Sequence, residues 1–171
     1  MAIEISPLIA SEESLAALTE IIIEAVAHGG SVSFMHPLSP ETAQNFWQTW
    51  LAAADRGERI VLGAFVDHRL AGTVTLLLDF PPNQPHRAEI AKLMTRVEYR
   101  GQGIANSLMI EAEGLARAHA RTLLVLDTAT IGGASELYEK RGFTFAGEIP
   151  DYALKPHGGL TGTKIYWKRL S

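Results

Sequence analysis

Residues 98–109 read EYRGQGIANSLM. Arg100 stands before two glycines, Gly101 and Gly103, and an apolar helical run starts at Ile104. Glycine weakens a helix, so its place at a helix mouth needs a reason. The first-turn N–H groups of a helix lack internal partners, and the helix dipole adds positive potential there. Anions settle at such ends. Glycine removes Cβ, so a bulky phosphate can touch the backbone, and a preceding arginine adds charge. Arg100, Gly101, Gln102, Gly103, Ile104 and Ala105 therefore read as a diphosphate cradle. The same residues also suit a tight turn with a solvated arginine. Two other phosphate signatures fit badly. A P-loop needs lysine and Ser/Thr after its last glycine, where Ile104 and Ala105 stand, and the dinucleotide fingerprint needs a third glycine, where Asn106 stands.

Three side chains are candidates for proton chemistry. Tyr138 lies in ASELYEKRGF, a helical stretch with Gly142 as a left-handed stop. Its phenol can donate a proton without carrying charge beforehand, and its plainer role is to pack its ring. Asp127 ends the apolar stretch TLLVLDT. A carboxylate at such a strand end opens into a crevice, and partial burial raises its pKa; capping the next turn is the alternative. Glu89 starts RAEIAKLMTRV, where strand alternation gives it a face shared with Ala91, Leu93 and Thr95. A surface salt bridge is the alternative for either acid.

The six histidines show no His-x-x-x-His pair and no other metal spacing, so no metal is expected. His119 ends the buried stripe of its helix, which predicts a core histidine. The chain has no cysteine, which excludes disulfides, thiolate zinc sites and a cysteine nucleophile. It also suits a reducing, cytoplasmic setting.

These residues need a frame. The 171 residues are 47% hydrophobic and 20% charged, which suits one soluble domain spanning 1–171. A net charge of −4 does not favour nucleic acid or anionic lipid. No run reaches the ~18 apolar residues of a membrane span, and MAIEISPLIA does not read as a signal peptide. AIEISPLI predicts a strand, and EESLAALTEIIIEAVAHGG a helix. A second helix opens at Ser39 and Pro40, buries Ala43, Phe46, Trp47, Trp50, Leu51 and Ala54, and ends at Gly57. ERIVLGAFV and RLAGTVTLLLDF form a hairpin around Asp67 and His68. Strand RAEIAKLMTRV, the helix from Ile104 to His119, strand TLLVLDT, helix GASELYEKRGF and closing strands TFAGEI and TGTKIYWKRL complete the chain. The order β-α-α-β-β-β-α-β-α-β-β predicts an α/β or α+β fold, one sheet with helices on both sides.

Arg-x-x-Gly-x-Ala after a strand ending KLMTRVEY resembles the coenzyme A motif of the GNAT N-acetyltransferase superfamily, and ASELYEKRGF resembles its second motif. The resemblance extends along most of the chain. It implies a mixed, mostly antiparallel sheet whose fourth strand splays from the fifth, and acetyl-CoA as donor to a primary amine. It implies that Leu93, Met94 and Thr95 pair with pantetheine through their main chain, and that the N–H groups of Gln102, Gly103, Ile104 and Ala105 hold the pyrophosphate. Tyr138 becomes the acid, and Asp127 or Glu89 the base.

HGGSVSFM, HRAEIAKLM, LLVLDT and GEIPDYALKPHGGLTGTKIYWKRL are similar to segments of the tabtoxin-resistance acetyltransferases. That narrower likeness implies a small amino-acid-like acceptor and a role in antibiotic or toxin resistance. The loop GGSVSFMHPLS, with Phe34 and His36, and the late loop PDYALKPHGGLTG, with Asp151, Tyr152 and His157, would wall the acceptor pocket; plain surface loops are the alternative. A homodimer is a family habit. Two rival readings are a protein or peptide N-acetyltransferase and a non-catalytic module that binds coenzyme A.

Overall fold

The computed structural model describes residues 1–171. Its elements are β1 (Glu4–Pro7), α1 (Glu12–Ala27), α2 (Pro40–Asp55), β2 (Arg59–Val66), β3 (Arg69–Leu77), β4 (Arg87–Thr95), α3 (Ile104–Ala118), β5 (Leu123–Ala129), α4 (Ser135–Lys140), β6 (Thr144–Leu154) and β7 (Leu160–Arg169). One 3-10 turn, Val97–Tyr99, joins β4 to the glycine stretch. The seven strands form one sheet in the order β1-β2-β3-β4-β5-β7-β6. Only β4 and β5 pair in parallel; every other pair is antiparallel. The predicted element order and fold class are both observed.

Local chemistry sets the element ends. Ser11 caps α1 by accepting the Ser14 amide at 3.1 Å, and Ser39 caps α2 by accepting the Thr42 amide at 3.1 Å. Asp67 and His68 both take left-handed φ, 48° and 64°, as a two-residue hairpin with right-handed strand twist requires.

Helices cover both faces of the sheet. On one face α3, Tyr138 and Phe143 pack over β2–β5 and β7 in a core of 20 buried residues. On the other, α1 and α2 form a core of 14 buried residues around Leu18, Ile22, Trp47 and Leu51. Phe46, Trp50 and Ala54 are only half-buried; they pack against that core without being enclosed by it. His119 departs from the expected core position. It caps the C-terminus of α3, is exposed, and its Nδ1 lies 2.9 Å from the Leu115 carbonyl oxygen. The buried stripe closes one turn earlier, at Ala116.

Of the register irregularities in β2, β4 and β6, two bear on the site. In β4 the register runs Thr75 to Ala91 but Thr73 to Met94, so β4 carries one extra residue there. Lys92 occupies the kink with φ 55°. The bulge inverts the face that follows. Ala88 and Ile90 belong to the α3 core, whereas Met94 belongs to the α1–α2 core and Leu93 packs on the α3 side. The expected alternation from Glu89 through Leu93 and Thr95 is therefore broken. In β6 a second irregularity lies between Ile149 and Ala153, with Asp151 at φ 53°. The strand resumes beyond it, so Tyr152 stands on β6 and not in the predicted loop.

The end of β4 is held from both sides. Buried Arg96 donates from Nε to the Leu70 carbonyl at 2.6 Å, and its Nη2 lies 3.2 Å from Glu20 on α1. Glu24 accepts the Val97 amide at 2.6 Å. This clamp aims the following turn at the mouth of α3.

Candidate active site

β4 and β5 pair at only three positions: Arg87 with Leu123, Ala88 with Leu124 and Glu89 with Val125. Beyond Glu89 the strands separate, and the opening between them forms a cleft of about 1040 Å³. Residues 89–95 of β4 and 127–129 of β5 line its flanks. Residues 29–35 of the α1–α2 loop form one wall, and residues 152–154 and 161–163 form another.

The mouth of α3 opens into the same cleft. Gly101 and Gly103 both adopt left-handed φ, 76° and 85°, and a Cβ at either position would point into open space. No side chain caps α3, and its first turn holds no acidic residue. The first amide–carbonyl bond at this end runs from Ser107 back to Gly103 at 3.0 Å, so the amides before Ser107 have no helical acceptor. Exposed Arg100 stands beside them. Polarity, open space and absence of competing anions all suit a diphosphate.

Tyr138 projects from α4 into the α3-side core. Its ring is 6% exposed and sits 6.0 Å from the Phe143 ring and 6.2 Å from the Tyr166 ring, centroid to centroid. Burial, and then the negative charge of Asp127, push its phenol well above the usual tyrosine range. The group therefore keeps its proton at any physiological pH. Asp127 does not end β5, which continues to Ala129, and it is exposed where partial burial was expected; its Oδ2 accepts the Thr163 hydroxyl at 2.7 Å. Its second oxygen makes no bond within the protein. Glu89 differs: Arg87 holds its carboxylate at 2.6 Å.

The cleft brings together nearly all the candidates. Glu89, Leu93, Met94, Thr95, Arg100, Gly101, Gly103, Ile104, Ala105, Asp127, Tyr138, Phe34 and Tyr152 all line it. Gln102 does not; its side-chain amide turns back to the Glu98 carbonyl at 3.2 Å. His36 also lies outside the lining. Its ring lies against that of His157, tilted by 40° with centroids 4.4 Å apart, and its amide donates to the Pro156 carbonyl at 3.0 Å. It fastens the α1–α2 loop to the β6–β7 turn, and His157 Nε2 lies 2.8 Å from the Ala27 carbonyl oxygen.

A model of the acetyltransferase (GNAT) family matches residues 23–143. The chain belongs to this family. The matched segment runs from α1 to Phe143 and takes in the glycine mouth, the splayed strands and Tyr138. Solved structures share the GNAT architecture over the whole length. An N-acetyltransferase from Staphylococcus aureus Mu50 aligns over 100% of both chains with a TM-score of 0.83 at 21% identity. A ribosomal-protein-alanine N-acetyltransferase from Brucella melitensis aligns over 98% of this chain and 99% of its own, with a TM-score of 0.82 at 23% identity. A GNAT superfamily phosphinothricin acetyltransferase from Sinorhizobium meliloti, in complex with acetyl-CoA, aligns over 100% of this chain and 90% of its own, with a TM-score of 0.80 at 19% identity. These likenesses concern the fold.

Two features of this GNAT site escaped the sequence reading. Lys92 and Ser33 meet on the α1–α2 side of the cleft, with Lys92 Nζ donating to Ser33 Oγ at 2.9 Å. Lys140 adds a third cation to the lining. The one signal was a lysine breaking the apolar run EIAKLM. No helix of this acetyltransferase is long and apolar enough to cross a membrane.

Proposed function

We propose that the chain transfers the acetyl group of acetyl-CoA directly to a primary amine of a small amino-acid-like molecule. The observation that carries this reading is one continuous cleft. It has an uncapped, open helix mouth at one place, and a protonated phenol and a free carboxylate oxygen also line it. The residues present suit the cofactor: the glycines leave the α3 amides bare, and β4 beyond Glu89 has no partner strand on its β5 side.

Bound acetyl-CoA supplies an activated acetyl thioester. The N–H groups of Gln102, Gly103, Ile104 and Ala105, with Arg100, would hold the diphosphate. The open main chain of Leu93, Met94 and Thr95 orients the pantetheine arm like an added strand. An amine with a pKa near ~10.4 is neutral in about one molecule in a few thousand at pH 7, so a base must take its proton. Asp127 does this through its free oxygen, while Thr163 fixes the other. Glu89 is the weaker candidate because Arg87 already neutralises it. Tyr138 protonates the departing sulfur. No acyl-enzyme on a thiol is available, since the chain has no cysteine.

The walls formed by residues 29–35 and 152–154 favour a small acceptor over a peptide in an open groove. The tabtoxin-resistance likeness points to the same class, as does the phosphinothricin enzyme among the structural relatives. Resistance to an amino-acid-like toxin is the biological role this suggests.

The test is thiol release from acetyl-CoA with three groups of acceptors: free amino acids including phosphinothricin, simple alkylamines, and peptides with free N-termini. Turnover is expected for the small amines. Tyr138→Phe should lower kcat by about 100-fold and leave coenzyme A affinity, read by calorimetry, unchanged. Turnover of peptides alone would move the assignment to the protein-acetylating reading. Cofactor binding without turnover of any acceptor would make the chain a binding module.

A further inference from the structure

From the placement of Lys92 we infer that it is a specificity-determining residue that binds a carboxylate on the acceptor, a few atoms from the amine that Asp127 deprotonates. This rests on the acetyltransferase reading above and names the acceptor's second recognition point.

Lys92 is placed by strain. It occupies the β4 bulge at φ 55°, a region where a non-glycine residue costs about 1–2 kcal/mol. Such strain persists where the surrounding structure enforces it, often at binding sites. The kink turns the side chain toward α2, where Nζ lies 5.9 Å from the Phe46 ring and 5.7 Å from the Trp50 ring. The ammonium lies over both aromatic faces, a cation–π placement.

An ammonium carries three donors. Lys92 uses one, to Ser33, and has no carboxylate within ion-pair distance. Several half-buried or buried cations of the chain are paired: Lys168 with Glu113 at 2.6 Å, Arg87 with Glu89 at 2.6 Å and Arg96 with Glu20 at 3.2 Å. Arg59, Arg121 and Lys164 are half-buried without a carboxylate partner, but they lie outside the cleft; Lys92 is the half-buried unpaired cation that lines it.

The diphosphate does not need it. Arg100 and the α3 mouth serve that group, whereas Lys92 stands with Ser33 on the wall formed by the α1–α2 loop. Asp127 lines the same cleft from β5, and its charge partly opposes the lowering of the Lys92 pKa. A cationic and an anionic pole on one cleft match a zwitterion: ammonium to Asp127, carboxylate to Lys92. In a partly dried site such a charge-assisted contact discriminates strongly against a neutral isostere.

The experiment compares L-amino acids with their α-amides, matched side chain by side chain, in the thiol-release assay. Wild type should favour the acids by at least tenfold in kcat/KM. Lys92→Met should erase that preference by raising KM for the acids, while the amides keep their values. Lys92→Arg should restore part of the preference. Ser33→Ala removes the tether and keeps the charge, so the acid-to-amide ratio should survive it. Coenzyme A affinity should be the same in all four proteins, which separates a folding defect from a lost contact. Equal use of acids and amides by wild type would overturn the inference and leave the acetyltransferase reading standing. So would a Lys92→Met effect equal on both series. Absence of turnover with every member would overturn both.

Discussion

Gly72 of β3 lies directly beneath Ile104, the first residue of α3. A Cβ at Gly72 would come within 2.8 Å of Ile104 Cγ2 and 2.8 Å of the Met94 carbonyl oxygen. The missing side chain lets the mouth of α3 settle against the sheet beside the β4 bulge. Gly72→Ala therefore pushes on both halves of the proposed cofactor site at once. The Met94 oxygen is backbone and cannot swing away. Overpacking of this kind costs about 1–3 kcal/mol, so the melting temperature should fall by roughly 2–12 °C at this chain length. Calorimetry should show weaker coenzyme A binding in the folded variant. Unchanged melting and unchanged affinity would mean that α3 does not depend on this close approach.

The cradle itself is tested by two substitutions at Gly103. Gly103→Ala places a Cβ at φ 85°, which strains the backbone by about 1–2 kcal/mol and adds no charge. Gly103→Glu adds the same strain and a carboxylate at the helix mouth. If a diphosphate sits there, the glutamate variant should bind coenzyme A at least about tenfold more weakly than the alanine variant, and added salt should narrow the gap. Equal affinities for the two variants would place the diphosphate elsewhere.

Proton chemistry gives a pH signature in stability. The phenol of Tyr138 is pushed up, first by burial and then by Asp127. Above about pH 10 the unfolded chain releases this proton while the folded chain keeps it, so wild type loses stability as pH rises further. Tyr138→Phe lacks that loss, and its melting temperature should gain on wild type above pH 10 while the difference stays flat from pH 6 to 9. Lys92 behaves in the opposite sense. Burial lowers its pKa, with Asp127 partly opposing. At neutral pH the folded state carries a disfavoured charge, and the deficit fades as pH rises toward 10.5, where the unfolded lysine also discharges. Lys92→Met should be the more stable protein at pH 7, by a margin that shrinks toward pH 10.5. Thermal melts of the three proteins across this range check both signs.

Local rules made most of the frame legible. Ser11, Ser39 with Pro40, and the Asp67–His68 turn each carry a signal that works within a few residues. The glycine mouth and the apolar β5 stretch are equally local and lie where expected, although β7 carries β5 two residues past Asp127, to Ala129. What the chain concealed depends on partners far away in sequence. The bulge at Lys92 arises from pairing with β3, and no local pattern in EIAKLM announces it. It overturned the face assigned to Leu93 and Thr95. Pro150 and Asp151 read as a strand end, yet β7 carries β6 past the kink to Leu154. His36 has the chemistry of an acceptor ligand, but the β6–β7 turn claims it through His157. Lys92 and Ser33, 59 residues apart, meet only in the folded chain.

The most direct measurement is a crystal structure of the protein with coenzyme A. The account predicts the diphosphate within hydrogen-bond distance of the amides between Gly101 and Ala105. It predicts the pantetheine arm between β4 and β5, with the sulfur beside the Tyr138 hydroxyl. A diphosphate bound away from the mouth of α3, or a sulfur remote from Tyr138, would contradict it.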